Sequence, residues 1–125
     1  MNLKLIFRIF GGLNMLTGAF ALFATKAMLG SAGLTVTSEL ITVGQGFAIA
    51  AIALGLVSWR TADIAGKSLY AYGKLFGIVQ SLQILLIVYH LITGQAGGPP
   101  VYINLVVGFV LVALFYYTVN KTTIV

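Results

Sequence analysis

The sequence of 125 residues contains no cysteine, two prolines, one histidine and only two acidic residues. Without cysteine the chain has no disulfides, no thiolate metal ligands, no CxxC redox chemistry and no palmitoylation. Only 7% of the residues are charged, whereas an ordinary soluble domain has about 25%. Apolar residues make up 60% of the chain. This composition excludes both a water-soluble globule and intrinsic disorder, and it predicts an integral membrane protein.

Four apolar runs follow one another, and each is long enough to cross a bilayer as a helix, which takes about 20 residues. They span approximately residues 3–24, 39–59, 67–92 and 101–119. The first run is similar to a secretory signal, with Ala19-Phe20-Ala21 as a candidate cleavage site, and we expect it to be retained as an anchor. The loops fall at residues 28–38 and 93–100, which are rich in glycine and other turn-forming residues. We therefore expect one all-α domain over residues 1–125, a bundle of four transmembrane helices.

The basic residues predict the orientation of this bundle. With four spans, Lys26 falls on one side of the membrane, and all other basic residues fall on the opposite side: Lys4, Arg8, Arg60, Lys67, Lys74 and Lys121. Cytoplasmic flanks are enriched in lysine and arginine, so we expect both termini in the cytoplasm. The net charge of +5 is scattered rather than clustered on one face, and we expect no nucleic-acid partner.

Small residues recur at helical spacing in the second and third runs. Gly44, Ala48, Ala51 and Gly55 form one stripe without bulk, and Gly73 with Gly77 forms a GxxxG pair. Helices in lipid associate where small residues let their backbones approach. These six residues are therefore predicted to pack helices together rather than to line a ligand groove.

Both acidic residues have a structural interpretation at the start of a helix. Glu39 follows Thr37 and Ser38 at the start of the second run, and Asp63 follows Thr61 before the third. A hydroxyl side chain caps a helix N-terminus, and a carboxylate there complements the helix dipole. We therefore expect Glu39 and Asp63 each to lie in the first turn of a helix.

The candidate ligand-binding residues are Glu39, Gln80, Gln83 and His90. The two glutamines and the histidine lie in the third run, and Gln83 and His90 are seven residues apart and nearly in line. Glu39 is expected at the same depth as His90, near the outer boundary. One histidine with one distant glutamate is a poor metal pair, and no nucleotide-binding fingerprint is present. We expect no metal, no cofactor and no catalytic residues, and hence no enzyme.

The second run also carries a resemblance to a known family. It contains Gly44-Gln45-Gly46 and Ala53-Leu54-Gly55-Leu56, and Trp59-Arg60 closes it. With its length and four helices, the chain resembles small DoxX-like bacterial membrane proteins. The resemblance implies a four-helix bundle in a bacterial inner membrane and no particular site residues.

Three functions are compatible with these features. The favoured one is a non-catalytic accessory, scaffold or oligomerising subunit, whose partners are membrane lipid and either itself or a larger membrane complex. A second is a binder or carrier of a lipid, sterol or quinone-like molecule through Gln80, Gln83 and His90. A third is a proton-linked transporter or membrane enzyme that uses Glu39 and His90.

Overall fold

The architecture is all-helical. In a computed structural model that describes residues 2–123, without the side chains of residues 121–123, there are five α-helices and no strand. They are α1 (Leu3–Phe23), α2 (Thr25–Ser31), α3 (Ser38–Ile64), α4 (Leu69–Thr93) and α5 (Pro99–Thr123). All but the short α2 are long and apolar enough to cross a membrane. The predicted helical class is confirmed, and so is the prediction of four helices long and apolar enough to span a membrane.

Local sequence signals set most helix ends. Asn2 caps α1, since its Oδ1 accepts a hydrogen bond from the Leu5 amide at 2.8 Å. Thr37 caps α3, since its Oγ1 accepts from the Leu40 amide at 3.1 Å. Glu39 lies in the first turn of α3, as predicted. The α4 helix ends at Gly94, whose φ of 73° is the left-handed conformation that glycine adopts without strain.

The interpretation of Asp63 is wrong. The second run was expected to end near residue 59, but α3 continues to Ile64 and places Asp63 in its last turn, not in the first turn of α4. A carboxylate there faces the negative end of the helix dipole. Arg8 of α1 offsets this by forming an ion pair with Asp63, and Arg60 adds a second contact at 3.5 Å. A single 3₁₀ turn, Gly66–Ser68, then connects α3 to α4.

The first predicted loop is shorter than expected. Much of its first half belongs to α2, a helix of seven residues, and the true connection to α3 covers residues 32–37. Thr25, at the start of α2, is buried, and its hydroxyl donates to the Ala21 carbonyl of α1 at 2.6 Å. The α2 helix thus continues from α1 after a break at Ala24 and packs on α3 and α5.

The bundle consists of two helix pairs. The α1 helix packs along α3, the α4 helix packs along α5, and α1 also contacts α4 and α5. Between the pairs lies a cluster of phenylalanine rings formed by Phe7, Phe10, Phe76 and Phe115, four of whose contacts are edge-to-face with centroids 4.9–5.7 Å apart. Around it lies a buried apolar core that includes Leu3 of α1 and Val119 of α5. Both termini of the bundle therefore lie at the same end.

The opposite end is joined through its loops. The amide of Gly97, in the connection between α4 and α5, donates to the carbonyl of Ala32 at 2.9 Å. The two helix pairs are thus connected at one end by aromatic packing and at the other by a backbone hydrogen bond.

Candidate functional site

The contact between α1 and α3 is built by glycines that leave no room for a side chain. A Cβ on Gly11 would lie 2.7 Å from the Gly55 carbonyl oxygen, and a Cβ on Gly55 would lie 2.6 Å from the Gly11 carbonyl oxygen. A Cβ on Gly18 would lie 2.7 Å from the Ala48 carbonyl oxygen. The two backbones therefore touch between Gly11 and Gly18 of α1 and between Ala48 and Gly55 of α3.

A buried hydrogen bond also crosses this contact. The hydroxyl of Ser58 on α3 is fully buried and donates to the Phe7 carbonyl of α1 at 2.8 Å. Such interhelical hydrogen bonds add to the association of helices in lipid.

The small residues singled out on α3 lie on its inward face. Ala48, Ala51 and Gly55 are buried, while Gly44 is half-buried, with its Cβ position 3.0 Å from a methyl carbon of Thr25. This stripe therefore faces the first part of the chain, α1 together with α2.

The glycines of α4 face α5. A Cβ on Gly73 would lie 2.7 Å from a methyl carbon of Val119, and one on Gly77 would lie 3.2 Å from the Tyr116 ring. Further along, Gly108 of α5 provides the space for Gln80, whose Nε2 lies 2.8 Å from the Cβ position of that glycine. The α4 and α5 helices thus pack with glycines of one helix against side chains of the other, whereas α1 and α3 are in direct backbone contact.

The four candidate ligand-binding residues have different environments. Gln80 is only 6% exposed, His90 is half-buried, and Gln83 and Glu39 are exposed. Glu39 is on α3, which packs on α1 and α2, whereas the other three are on α4. No hydrogen bond or ion pair among the described residues joins any two of the four side chains. Within residues 2–123 no group of three histidine or acidic side chains is placed to hold a metal ion.

Gln80 is the buried polar residue with the least local explanation. Its side chain has no hydrogen-bond partner within the described part of the chain. On α1, Asn14 lies one turn beyond Phe10 and donates to the Phe10 carbonyl at 2.9 Å. Because Gln80 lies one turn beyond Phe76, and the Phe10 and Phe76 rings are in contact, the two amides flank the same side of the phenylalanine cluster.

A polar cluster lies at the end of the bundle that carries the termini. Asp63 pairs with Arg8 and Arg60, and the Arg8 guanidinium also lies 5.6 Å from the centre of the Trp59 ring. The cluster fastens the start of α1 to the end of α3. Sequence reasoning treated Arg8 only as a marker of orientation, because its partner is 55 residues away.

A second stripe of small residues on α3 was missed. Thr42, Gly46, Ala50 and Ala53 follow at intervals of four, four and three residues, and all four are exposed. Among the described residues, no atom other than those of the adjoining helix backbone and chain neighbours lies within 4 Å of a Cβ placed on Gly46. At 3.6 residues per turn, Gly44 and Gly46 are about 200° apart, so this outer stripe faces away from α1. The spacing of the outer stripe can be read from the sequence. A helix that faces only lipid is not expected to have such a stripe of small residues.

No family model, no curated protein and no solved structure matches the chain.

Proposed function

We propose that the protein is a non-catalytic, self-associating subunit of a bacterial inner membrane, and that it binds a second copy through the outer stripe of α3 (Thr42, Gly46, Ala50 and Ala53). The observation that carries the proposal is that this stripe is exposed and unfilled. Lipid tails are as apolar as leucine, so helices associate in a bilayer through close packing at small residues and not through hydrophobicity.

The outward face of α4 differs from the outer stripe of α3. The outward face of α4 is built of large aliphatic side chains, Leu75, Ile78, Leu82, Leu85 and Leu86, each at least half exposed. Such side chains fill the space between a helix and the surrounding lipid. The outer stripe of α3 has no side chain larger than threonine and is flanked by the exposed side chains of Phe47 and Ile49. We infer a shallow groove there, which the backbone of another helix fills better than disordered acyl chains.

The inner face of α3 supports the proposal that its outer stripe contacts another helix. Gly44, Ala48, Ala51 and Gly55 have the same kind of spacing, and there α3 reaches backbone contact with α1. A second copy of α3 offers an identical surface, and a two-fold contact pairs a surface with itself.

Cysteine cross-linking tests the proposal directly, because the chain has no cysteine of its own. In Ala50→Cys, an oxidant should produce a disulfide-linked dimer in membranes. The matched control is Leu82→Cys, an exposed position on α4 away from the stripe, and it should remain monomeric. A third variant, Gly46→Leu combined with Ala50→Cys, should lose the cross-link, since leucine fills the groove.

The outcome is read on a non-reducing gel and by native mass spectrometry of the wild type. Equal cross-linking of the Ala50→Cys and Leu82→Cys variants, or a wild type that is monomeric after gentle solubilisation, would contradict self-association through α3.

We further propose that both termini are cytoplasmic. Support comes from charge: Lys4, Arg8, Arg60 and Lys67 are near the end with the termini, and Lys26 lies beyond the far end of α1. Cytoplasmic flanks carry such an excess of basic residues. The side chain of Lys121, which was counted with them, lies outside the described residues. The DoxX-like resemblance of the second run is in keeping with an inner-membrane location.

Binding of a lipid-soluble molecule is the second candidate, and one observation favours it. Gln80 is 6% exposed, and its amide has no hydrogen-bond partner among the described residues; the oxygen of a ligand beside Gln80 and Asn14 would supply such a partner. Gln83, which is exposed, does not contribute to such a site from the same face. The proton-linked alternative has less support, since Glu39 and His90 belong to different helix pairs.

A further inference from the structure

Two neighbouring depressions lie at the end of the bundle that carries the termini. The larger, of about 430 Å³, is lined by Asn2, Lys4, Leu5 and Arg8. The smaller, of about 270 Å³, lies between the start of α1 and the 3₁₀ turn, and is lined by Asn2, Leu3, Lys4, Gly66, Leu69 and Tyr70. Lys4 and Asn2 line both. The Lys4 side chain therefore stands on the rim between two concave surfaces.

The charge around these depressions is not compensated. Lys4 has no ion-pair partner among the described residues. Arg8 does have one, but its partner Asp63 also contacts Arg60, so a single carboxylate serves two guanidinium groups. Glu39, the other acidic residue of the chain, starts α3 at the opposite end. An anion would thus enter a region of net positive potential.

The depth of the depressions matches the headgroup region. The apolar run of α1 begins at Leu3, so Lys4 lies at the boundary of the span whichever side of the membrane it faces. Leu3, Leu5 and Leu69 supply apolar walls, while the Tyr70 side chain carries a hydroxyl. The larger depression lies on α1 alone, and the smaller lies where α1 meets the 3₁₀ turn and the start of α4. Basic sites at this depth suit anionic headgroups.

We propose that Lys4 and Arg8 bind the phosphate of an anionic phospholipid, with its acyl chains lying along the leucine walls of the two depressions. The ammonium of Lys4 and a guanidinium nitrogen of Arg8 donate charge-assisted hydrogen bonds to the phosphate oxygens. They are one helical turn apart on the same side of α1. The proposal does not depend on the self-association of α3.

Native mass spectrometry of the full chain in detergent tests the site. The protein is mixed with phosphatidylglycerol or, in parallel, with phosphatidylcholine, and bound lipids are counted. We expect preferential retention of phosphatidylglycerol and a loss of about five-fold in its affinity in Lys4→Gln, the effect of one basic group near an anionic lipid surface. Lys4→Arg should retain most of the binding, because the charge remains.

The matched control is Lys74→Gln, which removes the same charge from an exposed position on α4 that lines neither depression. It should bind phosphatidylglycerol like the wild type. Equal losses in the Lys4 and Lys74 variants would overturn the proposal in favour of diffuse attraction. Unchanged binding in Lys4→Gln would also overturn it, and so would displacement of the lipid by millimolar inorganic phosphate. Circular dichroism should show an unchanged fold, since the Lys4 side chain is exposed.

Discussion

At the scale of the residue, the polar side chains of this bundle act mainly on backbone carbonyls. Ser58 reaches from α3 to the Phe7 carbonyl of α1, whereas Ser81 donates to Gly77 of its own helix, α4, also at 2.8 Å. The two serines make the same kind of hydrogen bond, but only that of Ser58 joins two helices. They form a natural matched pair for measuring what an interhelical hydrogen bond contributes.

We expect Ser58→Ala to lower the free energy of unfolding by about 0.5–1.5 kcal/mol, because a buried hydrogen bond between helices is lost. Ser81→Ala should change it much less, since no contact between helices is removed. Unfolding in mixed micelles, followed by circular dichroism, gives both values. Equal losses in the two variants would show that the Ser58 bond contributes nothing beyond a local one.

The position of Asp63 could not be predicted from the residues near it in sequence. Its neighbours Arg60 and Thr61 favour a polar turn, and an acid near a helix boundary is usually found at the start of a helix. In the last turn of α3 Asp63 pairs with Arg8, which is distant in sequence and meets it only once α1 and α3 are packed. The start of α3 was predictable because the Thr37 cap and Glu39 are local signals.

At the scale of the element, α3 is a helix with two faces of small residues. The inner face holds Gly55 against the Gly11 carbonyl, and the outer face holds Gly46 with no atom nearby. The sequence reveals both stripes by their spacing, but it does not say which of them faces inward. That choice depends on the complementary glycines Gly11 and Gly18 of α1.

Adding one methyl group by a glycine-to-alanine substitution should have different effects on the inner and outer faces of α3. Gly55→Ala should destabilise the fold by about 1–3 kcal/mol, because its Cβ would meet a backbone oxygen that cannot move without separating the helices. In the separated monomer, Gly46→Ala should leave stability equal or slightly raised, since alanine favours the helix and the described residues leave this space open. Thermal unfolding of both variants in detergent is the measurement. A Gly55→Ala protein as stable as the wild type would refute the close α1–α3 contact.

Which of the two α4 glutamines is buried could not be predicted from their spacing either. Gln80 and Gln83 are one turn apart, and spacing alone puts them in one stripe with His90. The structure buries Gln80 against Gly108 and leaves Gln83 exposed. The rotation of α4 about its axis depends on Gly73 and Gly77 meeting α5. The GxxxG pair predicts that this face packs on a helix, but it does not specify that the helix is α5.

At the scale of the whole molecule, four spans bring both termini to one end, where Leu3 and Val119 belong to the same apolar core. Hydropathy and helix count were sufficient to predict this arrangement. The pairing of the helices was not predictable in the same way, because every span has an apolar surface and several have small residues. The phenylalanine cluster, which joins residues more than 100 positions apart, depends on that pairing.

We expect a fluorescent protein fused to the C-terminus to fluoresce in bacterial cells, and alkaline phosphatase at the same site to be inactive, because the basic residues retain this end in the cytoplasm. The control is a chain truncated after Gly97, which ends beyond the third span and should reverse both readings. An active phosphatase at the C-terminus of the full chain would show the opposite orientation.

The division into two helix pairs also has a consequence for biosynthesis. The backbone contacts that join α1 to α3 lie entirely within the first 64 residues, and the contacts of α4 glycines with α5 side chains lie within the remainder. The first hairpin can therefore assemble while the ribosome is still making the second. Until the second arrives, Phe7 and Phe10 lack the rings that later pack on them. The phenylalanine cluster can therefore be completed only after α4 and α5 have been made.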